Sequence, residues 1–309
     1  LPRAHQNAAN ALSSLAIGNS ANQAEIASLL VGLLEEATPD AQNRAAQALW
    51  RMVDENRGNE VIIAKAGGAE PLVRLLTAKQ AAARAYALWS LSLSIDADNQ
   101  KVVADTGGIK PLVSLLSAND SLSNEQAACA IYQLASKNNK TQAAIVKSGA
   151  VEPLITLLDG DGQERCQEYA AAALSELASI VMGKMAVDRA GGIMPLVCLL
   201  SDKHRVPASK KYAAAALARL SFEDRKKQTK RAAAADVAEG DGQEEISEIK
   251  RLPNKAPASQ IIAEAGAIGP LVDLLSGDTG GEAQEEAAGA LLALAENGSN
   301  RTAITEAGG

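Results

Sequence analysis

One ten-residue phrase recurs five times along this chain of 309 residues: GGAEPLVRLL (67–76), GGIKPLVSLL (107–116), GAVEPLITLL (149–158), GGIMPLVCLL (191–200) and GAIGPLVDLL (266–275). Its first four prolines, Pro71, Pro111, Pro153 and Pro195, fall at almost even intervals, and the gap from there to Pro270 is nearly twice as long as the others. A degenerate sixth copy, LLVGLL (29–34), lies one period before the first. A chain built on such a period cannot assemble one thick core. Each unit presents an apolar face that only its neighbours can cover.

Each period reads as three helices. A short first helix (59–65, 99–105) stops at Gly-Gly, because glycine takes a left-handed backbone without a Cβ penalty. Proline then falls in the opening turn of the second helix, where its missing N–H and fixed φ are tolerated. A polar loop leads to the third and longest helix, at 43–52, 83–91, 125–134, 168–177, 211–220 and 286–294. Its apolar residues recur every three or four positions and make a stripe along one face.

The GG(I/A)xPLVxLL turn and second helix, followed by an (E/V)QxxAAxALxxLA third helix, closely resembles the armadillo repeat, and does so over nearly the whole chain. The resemblance implies an all-α, right-handed solenoid with three helices per repeat of roughly 42 residues. On that frame 1–21 is a partial repeat carrying a third helix, and 22–58 is a degenerate repeat short of about five residues around its turn. Repeats follow at 59–98, 99–140, 141–182 and 183–222. Residues 223–257 form a charged insertion, 258–299 another repeat, and 300–309 the start of one more. Both ends read as cut within the array, so further repeats or other domains are expected beyond them.

Composition supports thin layers rather than a compact enzyme core. Seven residues are aromatic, whereas 63, about a fifth, are Ala. Ala allows close helix packing, while large rings fill thick cores. The two histidines, His5 and His204, leave little for imidazole chemistry, so a non-enzymatic protein without metal, cofactor or small-molecule substrate is expected. Three unclustered cysteines, Cys129, Cys166 and Cys198, argue for a reducing compartment, hence an intracellular setting, cytoplasmic or nuclear. A net charge of −7 disfavours nucleic acid and anionic membranes. No apolar run is long enough to predict direct membrane insertion.

In armadillo solenoids the third helices line a concave surface that receives partners, so the resemblance points to their exposed positions. Residues three or four apart share a helix face. Aligned in that way, the copies give the candidate partner-binding residues Arg44, Gln47, Arg51, Tyr86, Ser90, Gln126, Gln133, Tyr169, Glu176, Tyr212 and Arg219. Between these rows runs one of alanine throughout: Ala11, Ala48, Ala87, Ala130, Ala173, Ala216 and Ala290. Tyr and Arg often dominate protein interfaces. Gap-filling tyrosines and solvated arginines stay open as alternatives. Importin-α carries Asn on one groove row and Trp on the next, and neither row is kept here; Trp50 and Trp89 fall one residue off the Asn row. The basic groove of β-catenin-like proteins is not matched either, since Arg44, Arg51 and Arg219 are balanced by Glu176 and Glu286.

The insertion is polarised, with five positive charges over 225–231 and six negative over 236–248. Arg225, Lys226, Lys227, Lys230 and Arg231 are candidates for a second contact, and KKQTKR also reads as a nuclear-localisation patch or plain solvated surface. DGDGQE (159–164) and GDTGGE (277–282) are turns before third helices rather than a calcium loop or a phosphate cradle, because the later ligands are missing. The expected function is a protein-interaction scaffold or adaptor, or a structural subunit of a larger assembly, meeting protein partners through the groove and the insertion. A regulatory region of a multidomain enzyme such as a ubiquitin ligase is the alternative, and a nuclear-import adaptor is a further one.

Overall fold

The computed structural model describes residues 2–16, 22–36, 38–56, 58–78, 83–84, 86–87, 90, 97–159, 164–202, 205–222, 257–277 and 279–308. Among them every regular element is helical. In chain order these are α1 (Pro2–Ala16), α2 (Gln23–Glu36), α3 (Pro39–Glu55), α4 (Asn59–Lys65), α5 (Ala69–Leu75), α6 (Ala97–Asp105), α7 (Ile109–Leu115), α8 (Ser121–Ala135), α9 (Asn139–Lys147) and α10 (Val151–Thr156). They continue with α11 (Glu164–Leu177), α12 (Val181–Arg189), α13 (Ile193–Ser201), α14 (Pro207–Ser221), α15 (Ala258–Glu264), α16 (Ile268–Ser276), α17 (Gly281–Leu294) and α18 (Gly298–Glu306). Two compact units divide the chain, Leu1–Pro153 and Leu154–Gly309, the boundary falling within α10.

The glycine punctuation does what its chemistry requires. Gly67, Gly107, Gly149, Gly191, Gly266 and Gly308 all take φ between 71° and 89°, so each first helix ends in a left-handed residue. The second glycine of the pair serves a different need: at Gly192 a Cβ would lie 2.8 Å from both Ile155 and Val187. One repeat departs from the pattern. In 22–58 the missing residues remove the turn altogether, and α2 runs as one helix of 14 residues where the following repeats have two.

Alanine packs the third helices closely. Ala48, Ala87, Ala130, Ala173, Ala216 and Ala290 are no more than 1% exposed. Ala11 is the exception to the expected row and is exposed, because α1 turns Ala9 inward instead. Side-chain amides then satisfy helix C-terminal carbonyls that the helices leave unpaired. Gln42, Gln167 and Gln284, each six residues before the alanine row, donate to the carbonyls of Leu34, Leu158 and Gly277 at 2.8–2.9 Å. Amides on first helices do the same for third helices: Asn59 donates to Met52, Gln142 to Ala135 and Asn300 to Leu294, at 2.7–3.1 Å.

Asp120 caps α8, its carboxylate accepting the Ser123 N–H at 2.8 Å. Hydrogen bonding from Ser123 holds its pKa below the ordinary value, against burial and with help from Arg84. A depressed folded-state pKa stabilises the fold above the unfolded-state value and loses that contribution as pH falls through the folded one. Asp120→Ala should therefore cost about 1 kcal/mol near neutral pH. In urea titrations the gap between variant and parent should close as pH drops below about 4.

Candidate functional site

In the first unit, α1, α3 and residues 83–84, 86–87 and 90 carry the third-helix face. Each is tied to the next by side chains. Arg44 donates to Oδ1 of Asn10 at 2.9 Å, and the Gln47 amide donates to the Tyr86 hydroxyl at 3.0 Å. The rings of Trp50 and Tyr86 meet at 5.8 Å between centroids, tilted by 31°. These links order Gln47 and Tyr86 without burying them, since both stay partly accessible. Arg51 is exposed beside them, and Gln133 on α8 is half-buried.

The second unit repeats the device with charges. Arg219 on α14 pairs with Glu176 of α11 at 3.3 Å and donates to the Ser175 hydroxyl. Lys211 bridges from α14 to Glu282 on α17 at 2.5 Å, with its ammonium 4.9 Å from the Tyr212 ring centroid. The Lys211 contact holds the Glu282 carboxyl below its ordinary pKa. On α11, Arg165 lies 5.8 Å from the Tyr169 ring centroid and donates to the Tyr169 hydroxyl at 3.2 Å. An open cleft of about 430 Å³ lies between α14 and α17, lined by Glu168, Pro207, Lys211, Tyr212, Gly280 and Glu282 among others.

Two expected groove residues are not on the surface. Ser90 is 6% exposed and donates its hydroxyl to the Tyr86 carbonyl, the local bond that lets a serine sit inside a helix. Gln126 is 7% exposed, within a run from 126 to 131 in which every residue is buried, so α8 is covered on all sides there. Of the expected set, the structure leaves Arg44, Gln47, Arg51, Tyr86 and Gln133 accessible in the first unit, and Tyr169, Glu176, Tyr212 and Arg219 in the second. Arg225, Lys226, Lys227, Lys230 and Arg231 of the insertion, and Trp89, lie outside the described residues. Lys211 and Glu282 were not among the residues singled out from the sequence. Their pairing spans 71 positions and the insertion, and no local pattern announces it. Among the described residues no group of three or more His, Cys, Asp or Glu could hold a metal ion, and no single helix is long and apolar enough to cross a membrane.

Residues 96–136, 138–179 and 255–295 each match the Armadillo/beta-catenin-like repeat model, and these spans coincide with α6–α8, α9–α11 and α15–α17. An engineered protein of known structure is 30% identical, with a TM-score of 0.78 over 97% of this chain and 67% of that one. The chain belongs to the armadillo-repeat family. A designed armadillo repeat protein superposes with a TM-score of 0.70 at 24% identity, over 86% of this chain and 99% of its own. Another, solved in complex with the peptide (KR)4, does so with a TM-score of 0.67 at 24% identity, over 86% and 98%. No curated protein matches the sequence. In armadillo terms α3, residues 83–84, 86–87 and 90, α8, α11, α14 and α17 belong to third helices.

Proposed function

We propose that this armadillo array is a non-enzymatic interaction scaffold that holds a segment of a partner protein against its third helices. The observation that carries the proposal is the cross-linking of accessible polar and aromatic side chains from one third helix to the next: Arg44 to Asn10, Gln47 to Tyr86, and Arg219 to Glu176. Side chains fixed before binding lose less entropy when a partner arrives. Rigid Tyr and Arg anchors suit an interface better than freely rotating chains do. Designed proteins of the same fold were made for modular peptide recognition, which supports a protein or peptide partner in general. The same reading puts the chain inside the cell. Cys129 and Cys166 are buried thiols and Cys198 is an exposed one, as a reducing compartment allows.

The test combines Arg51→Glu, Arg219→Glu and Tyr169→Ala in the intact chain. Partners recovered with the parent and identified by cross-linking mass spectrometry should be lost from the triple variant, with helical content unchanged. Undiminished recovery would remove the third-helix face from consideration.

A further inference from the structure

We infer that the cleft between α14 and α17 is a seat for a cationic side chain that the chain fills with its own Lys211, and that Lys211 thereby excludes lysine- and arginine-bearing segments from this part of the groove. The inference deepens the groove reading, since it names the charge class of segment that the second unit turns away. A ring face and a carboxylate together replace much of the water around an ammonium. Lys211 has both, with Tyr212 at 4.9 Å from centroid to nitrogen and Glu282 at 2.5 Å. Its side chain is 24% exposed against 81% for Glu282, so the lysine is the more covered member of the pair. Glu168 lines the same cleft. On α11 a cation likewise meets a tyrosine ring, with Arg165 5.8 Å from the Tyr169 centroid. Both groove tyrosines of this unit thus meet a cation supplied by their own helix. An incoming lysine or arginine finds this ring and carboxylate already taken by Lys211, whereas an uncharged segment can enter the remaining space and contact Tyr212.

Anisotropy titration of a labelled (Lys-Arg)4 peptide against the full chain tests this directly. Lys211→Ala should tighten binding about fivefold, the size expected for one vacated ring-and-carboxylate seat. Adding Glu282→Gln should remove the gain. Lys210→Ala makes the same change in net charge outside the cleft and should leave the affinity where it was. An equal gain in Lys210→Ala, or none in Lys211→Ala with an unchanged helical spectrum and melting curve, overturns the inference. If Lys211→Ala proves unstable, Lys211→Met retains the aliphatic stem and carries the same expectation. The probe reads the cleft without the native partner, so this result and the triple-variant result fail independently.

Discussion

Gly183→Ala is expected to destabilise the second unit by about 3 kcal/mol or more, a cost at the upper end for overpacking. Gly183 lies early in α12, where the first helix of its repeat crosses the end of α11. A Cβ built there would stand 1.8 Å from the Leu177 carbonyl oxygen and 2.6 Å from its carbon, and neither is the movable end of a side chain. The repeat frame explains why glycine is needed. Eight residues before the left-handed glycine, Asn59 and Asn300 reach back with an amide to the end of the preceding third helix. At the same register Gly183 lets the backbone itself come close. Urea unfolding followed by circular dichroism measures the loss, with Gly289→Ala as the control. Gly289 is exposed on α17 with nothing within 4 Å of its missing Cβ, so alanine should stabilise there by up to about 1 kcal/mol. A loss below about 1 kcal/mol for Gly183→Ala would mean that α12 can move off α11 at little cost, and that the close approach is not required.

The second large effect is expected at the alanine row. Ala173→Leu inserts three carbons at a position that is 0% exposed and flanked by Ala170, Ala171, Ala172 and Leu174, none more than 1% exposed. Overpacking of this kind forces shifted backbones and strained rotamers, at about 3 kcal/mol or more where a helix contact must open. Ala11→Leu changes the residue of the same register on α1, which is exposed, and should move stability by less than about 0.5 kcal/mol. The two melting curves, compared with the parent, separate the packed row from its exposed first member. Similar losses from both would contradict the difference in burial.

These contrasts show where the sequence was legible. The glycine and proline of each turn could be read because a positive φ and a helix's first turn restrict residue type strongly. The third helices could be read because burial imposes a three- and four-residue rhythm. Their ends could not: α3, α8, α11, α14 and α17 all begin several residues before the apolar stripe does, in polar turns that carry no such rhythm. The accessibility of the candidate face was legible in part. Rows drawn by helical geometry placed Arg44, Gln47, Tyr86, Tyr169 and Arg219 where they stay accessible, but residue type misjudged Gln126 and Ser90, since a polar side chain is no proof of an exposed one when its surroundings or its own helix can satisfy it. The amide bonds from Gln42, Gln167 and Gln284 left a trace that could have been followed, a glutamine six residues before the alanine row in three of its copies. The bond from Lys211 to Glu282 left none, because nothing in one helix specifies a charge 71 residues away.

The absent turn in α2 bears on how such an array tolerates editing. Losing the corner between a first and a second helix straightened both into one rod, yet α3 still packs on α1 and α2, and its side chains still link to those on either side. A corner lost between the first two helices of a repeat thus leaves the third helix's own contacts in place, and with them the order of Arg44, Gln47 and Arg51 along α3.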